Sequence, residues 1–121
     1  MFSNSDRTLT LIYHSDDHLG KSVLAYANTE GIPIRELDIA HTKISETNWA
    51  ELAEKLGIPV KELVNMDHPN FKQHYADDVD LTDQDWLKFL ERNPATLRAP
   101  IVMKGDKIKM MSNPQDMLHF V

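Results

Sequence analysis

The side chains most able to do chemistry sit in one short segment, His14-Ser15-Asp16-Asp17-His18, with Lys21 close behind. Imidazole and carboxylate donors together suit a divalent metal ion, and a positioned imidazole transfers protons near neutral pH. The segment stands between an apolar run, Leu9-Thr10-Leu11-Ile12-Tyr13, and an amphipathic stretch opened by Gly20-Lys21-Ser22. A strand feeding a helix N-terminus in this way presents free N–H groups and a positive dipole end, which favour an anion or depress a thiol pKa. No thiol is available, because the chain contains 0 cysteines. Disulfides, zinc-thiolate sites and thiol catalysis are excluded together, while the compartment is left open.

Each candidate has a plainer reading. Asp16 or Asp17 suits the N-cap of the following helix, with His14 and His18 as solvated loop residues. The same carboxylates oppose an anion: at about 5 Å and an effective dielectric of about 20, each repels a unit negative charge by roughly 3 kcal/mol. Lys21 and the helix N-terminus offset part of that, so weak or no oxyanion binding is expected. His68 and His74 are spaced outside the i, i+4 pattern of a helical metal pair and read as loop or helix surface, as do His41 and His119 as surface or packing residues. We expect no resident metal or cofactor. Trp49, Trp86 and Phe89 fit helix cores better than a ligand box, and Met103, Met110 and Met111 fit strand packing better than copper ligation.

The elements that must position these residues follow from pattern. Leu9 to Tyr13 and Ile34 to Asp38 read as strands joined by a helix from about Gly20 to Glu30, which makes them parallel. Trp49, Leu52, Ala53 and Leu56 share one helical face behind Thr42 to Ser45, and Gly57 ends that helix. Pro59 introduces a short helix over Val60 to Val64. From Asn65 to Asp80 no period is legible. Thr82 caps a helix with Asp83 and Asp85 in its first turn, Trp86, Leu87 and Leu90 as its apolar stripe, and Asn93-Pro94 at its end. Ile101-Val102-Met103 and Lys107 to Met111 form a hairpin about Gly105-Asp106. Asn113-Pro114 marks the start of a terminal helix over Gln115 to Phe120.

The order is β-α-β, a helical insert, then β-β-α, within a single domain over residues 1–121. Thirteen Lys and Arg against nineteen Asp and Glu give a formal charge of −6 without a basic run, so direct nucleic-acid binding is not expected. No apolar stretch approaches the roughly 20 residues of a bilayer span, and Met1 to Arg7 lacks a signal-peptide core. A cytoplasmic location and no membrane association are expected.

Ile12-Tyr13-His14 before the loop, Leu56-Gly57-Ile58-Pro59-Val60-Lys61-Glu62-Leu63 in the middle, and Asn93-Pro94 ahead of Pro100-Ile101-Val102 occur in this order. The ordered set, spanning roughly Leu9 to Phe120, resembles the arsenate reductase family of the thioredoxin superfamily, which includes glutaredoxin-coupled arsenate reductases and Spx-type transcription regulators. The resemblance implies an α/β thioredoxin-like fold: a four-stranded mixed sheet with a helical insertion between the βαβ and ββα halves. It also implies a cis bond before Pro100. The reductases carry a nucleophilic cysteine where this chain has His18, a helper arginine where it has Asn65, and a second arginine where it has Ala99. Arg98 lies beside that last position, but neighbours on an extended segment point to opposite sides.

Reduction of an oxyanion by the family's route needs an attacking thiolate and a second thiol to resolve the adduct. Two readings follow. One is a non-catalytic family member that keeps the scaffold as a protein-binding or regulatory module, with another protein as partner and any ligand meeting His14, Asp16, Asp17, His18, Lys21, Arg98 and Pro100. The other is an enzyme of altered chemistry, in which His18 serves as base or nucleophile or glutathione supplies the sulfur.

Overall fold

The structure, a computed structural model, describes residues 8–76 and 79–120. The Met1 to Arg7 segment and the Asp77-Asp78 pair of the unpatterned stretch lie outside the described residues. Contacts divide the chain into two compact units, one reaching to Thr42 and resuming at Ala99, the other spanning Lys43–Arg98.

The first unit holds a four-stranded sheet in the order β2-β1-β3-β4. β1 (Leu9–Tyr13) runs parallel to β2 (Ile34–Asp38) and antiparallel to β3 (Ile101–Lys104), which pairs antiparallel with β4 (Lys107–Met110). The four-stranded mixed sheet is the one the resemblance implies, and the parallel β1–β2 pairing and the β3–β4 hairpin are those expected from the sequence. Alternation along β1 sends Leu9, Leu11 and Tyr13 to one face, where they pack with Val23, Ala27, Val102, Met111, Met117 and Phe120. Burying side chains of this size contributes roughly 1.5–3 kcal/mol each. Helix α1 (His18–Thr29) supplies Val23 and Ala27, and a 3-10 segment over Pro114–Phe120 supplies Met117 and Phe120. Ile12, Ile101 and Met103, on the opposite sheet face, are buried as well.

The second unit is helical. In α2 (Glu46–Leu56) the Ser45 side chain caps the N-terminus, and Gly57, at φ 71°, takes the left-handed conformation that ends the helix. A 3-10 turn over Val60–Leu63 and the single turn α3 (Pro69–Lys72) follow. α4 (Asp83–Arg92) begins with a complete capping box between Thr82 and Asp85. Both tryptophans are core residues, at 1% exposure for Trp49 and 4% for Trp86. Phe71 stacks on Trp86 with ring centres 5.4 Å apart and meets Phe89 edge-on.

Several boundaries differ from expectation. α1 starts at His18 rather than Gly20, because the Asp17 carboxylate accepts the Leu19 N–H and draws His18 into the first turn. α3 is an element that no period announced, since one turn needs only the buried Phe71 and the His68 cap. The Pro114–Phe120 segment is 3-10, and its entry is held by Asp116 Oδ2 accepting from the backbone N–H groups of Ser112 and Asn113. The Ala99–Pro100 bond is trans, as no cis peptide occurs among the described residues, and the cis expectation is thereby corrected. For X-Pro the trans form is favoured by about 0.5–1 kcal/mol unless its surroundings demand otherwise. Pro100 here is buried and its carbonyl already accepts the Met111 N–H at 2.8 Å, extending the β3–β4 ladder without a cis turn.

Candidate functional site

The loop between β1 and α1 is built around two aspartates. Asp17 N–H donates to the His14 carbonyl at 2.8 Å, closing a turn, and Asp17 Oδ1 then accepts the Leu19 N–H at 3.1 Å. A carboxylate of the chain itself thus occupies the helix N-terminus at the place an external anion would take. Asp38, at the carboxyl end of β2, ties the loop down: its Oδ1 accepts from Ser15 N–H and from Ala40 N–H, each at 3.0 Å. Burial raises the Asp38 carboxyl, but the bonds from Ala40 and Ser15 and the neighbouring His41 outweigh it and hold the pKa below the ordinary value.

His14 Nδ1 accepts the Asp16 N–H at 3.1 Å. The donor has only one role, so that nitrogen carries a lone pair and the ring proton lies on Nε2. Asp16 Oδ2 also lies 3.9 Å from the same nitrogen, so the shorter backbone contact is the one that orients the ring. The Asp16 side chain is 88% exposed. Beneath the loop, Tyr13 donates its hydroxyl to Glu36 Oε1 at 2.8 Å. Burial, with the bond to Glu36 and the charges of Glu36 and Asp38, pushes the phenol up to about 12.

His14, Asp16, Asp17, His18 and Lys21 therefore share one loop-helix junction, with His18 and Lys21 exposed. Asn65 and Arg98 belong to the helical unit, where a bridge joins Val64 to Leu97. Asn65 N–H donates to the Thr96 carbonyl at 2.7 Å, and its Oδ1 accepts the Asp67 N–H at 2.9 Å. Arg98 is exposed and anchored through its backbone N–H on the Leu63 carbonyl. Ala99 is half-buried ahead of the buried Pro100. Among the described residues, no three His, Asp or Glu side chains are grouped to hold a metal ion. Asp38 and Gly20 are the organising residues that pattern alone did not single out. An acid at the carboxyl end of a parallel strand was the available signal for Asp38.

The ArsC family model matches residues 4–120. The chain belongs to the ArsC family. It is 31% identical over 115 residues to an arsenate reductase of Haemophilus influenzae, a match covering 92% of this chain and 97% of that protein. Its fold is similar to that of an arsenate reductase from Vibrio cholerae, with a TM-score of 0.83 and 17% identity over 97% of this chain and 100% of the other. It is also similar to an arsenate reductase related protein from Brucella melitensis, with a TM-score of 0.69 and 17% identity over 93% and 94% of the two chains. This ArsC-family chain thus carries the arsenate reductase-like scaffold over nearly its whole length with 0 cysteines in its sequence. A thiol-dependent reduction has no nucleophile of the chain's own to start from.

Proposed function

We propose that this chain is a non-catalytic ArsC-family protein in which the scaffold serves as a protein-binding or regulatory module. The observation that carries the reading is the start of α1, where the Asp17 carboxylate caps the helix from within and His18, the position that resembles the family's cysteine, follows it. Imidazole forms no disulfide, so neither half of a thiol redox cycle is available to His18. The positions that resemble helper arginines hold Asn65 and Ala99, which supply no positive charge. Asp16 and Asp17 add repulsion toward an incoming oxyanion. A net charge of −6 turns the partner away from nucleic acid and toward protein.

Calorimetric titration of the natural protein with arsenate and with phosphate tests the binding half of this reading. No saturable heat is expected below millimolar anion. Micromolar affinity for either ion would show a working oxyanion site and contradict it.

A further inference from the structure

We propose that the outer edge of β4 receives an extended, acidic segment of a partner protein as an added strand. The inference rests on the protein-binding reading above and names the kind of partner. β4 is the last strand of the sheet, with β3 on one side and no strand among the described residues on the other. The Met111 N–H bond to the Pro100 carbonyl fixes the phase of the ladder. Lys107 and Lys109 then exchange bonds with Lys104 and Val102, while Ile108 and Met110 turn their N–H and carbonyl groups outward. Those outward groups are the template that strand addition uses.

The side chains around this edge select the occupant. Lys104 and Lys107 stand directly opposite each other across the hairpin, an unfavourable like-charge pairing. Lys104 Nζ donates to the Phe120 carbonyl at 3.0 Å, and Lys109 Nζ lies 3.8 Å from Asp116, whereas Lys107 has no carboxylate partner among the described residues. Beside them opens a cavity of about 310 Å³ lined by Lys104, Asp106, Lys107 and Phe120. Two lysines against the single carboxylate of Asp106 leave its lining with one net positive charge. A second copy would bring the same lysines to the edge and be repelled; a strand with alternating Glu or Asp relieves the like-charge pair.

The probe is a synthetic peptide alternating Glu with Val, compared with its Lys-Val counterpart, titrated into the full chain and followed by backbone amide NMR. The expected result is saturable movement and solvent-exchange protection of the Ile108 and Met110 amides with the Glu peptide, weakened by salt, and none with the Lys peptide. Ile108→Pro removes an outward N–H without breaking the β3 ladder, a position where an edge strand tolerates proline. It and Lys107→Glu should each weaken the Glu peptide by roughly tenfold while the β3–β4 cross-strand contacts persist. Unmoved Ile108 and Met110 amides, equal binding of both peptides, unchanged affinity of Ile108→Pro, or a self-associated dimer that Ile108→Pro dissolves would overturn the proposal. Arsenate turnover would remove the non-catalytic reading and leave the edge result standing; unmoved amides would do the reverse.

Discussion

Gly20 and Tyr13 meet without room for another atom: a Cβ on Gly20 would lie 2.9 Å from both Cβ and Cδ2 of Tyr13. Tyr13 Cβ is fixed by strand β1, so α1 approaches the sheet this closely only with glycine at the contact. Gly20→Ala gains about 1 kcal/mol of helix propensity but forces a separation that costs about 1–3 kcal/mol. The expected outcome is net destabilisation of about 1 kcal/mol in urea unfolding; a more stable variant would show that the contact is not tight.

The Asp38 tether sets an acid limit on the loop. Its carboxyl pKa is held below the ordinary value by bonds that exist only in the folded chain. The stabilisation is therefore complete above the unfolded aspartate pKa of about 3.9 and is lost as pH falls through the lower folded value. NMR titration should show the Ser15 and Ala40 amides steady to about pH 4 and moving together below it. Asp38→Ala should remove that transition and cost about 2 kcal/mol, since two charge-assisted bonds disappear.

Phe71 is the centre of the aromatic cluster, touching Trp86, Phe89 and Tyr75. Phe71→Ala should destabilise the chain by about 3–5 kcal/mol and shift Trp86 fluorescence toward that of a solvated indole. An unshifted emission with native stability would mean that the short helix α3 contributes little.

His18→Cys places a thiol at the start of α1 but supplies no charge at Asn65 or Ala99. The variant should react with thiol reagents, because the residue is exposed at a helix N-terminus, yet show no glutathione-dependent arsenate reduction. Family-like turnover from this one replacement would show the rest of the site to be intact.

Much of this architecture is written in the local chain. Trp49, Leu52, Ala53 and Leu56 announce α2, Gly57 its end and Thr82 the start of α4, because caps and amphipathic faces are local features. The parallel pairing of β1 with β2 follows from the helix between them. What escaped depends on groups far apart in sequence. Asp38 bonds the backbone of Ser15 across the sheet, and Gly20 is demanded by Tyr13 on the preceding strand. α3 escaped because one turn carries no period, and the trans Pro100 because the cis expectation rested on resemblance alone. The loop residues were legible as a group, but which aspartate caps α1 was decided by the turn that Asp17 closes on His14.

The most direct test of the central claim is a coupled assay of arsenate reduction by the purified natural protein, with glutathione and glutaredoxin supplied, alongside His18→Ala. A chain without a thiol of its own is predicted to give no turnover above the enzyme-free background and no difference between the two proteins. Clear turnover by the natural protein that His18→Ala abolishes would contradict the account.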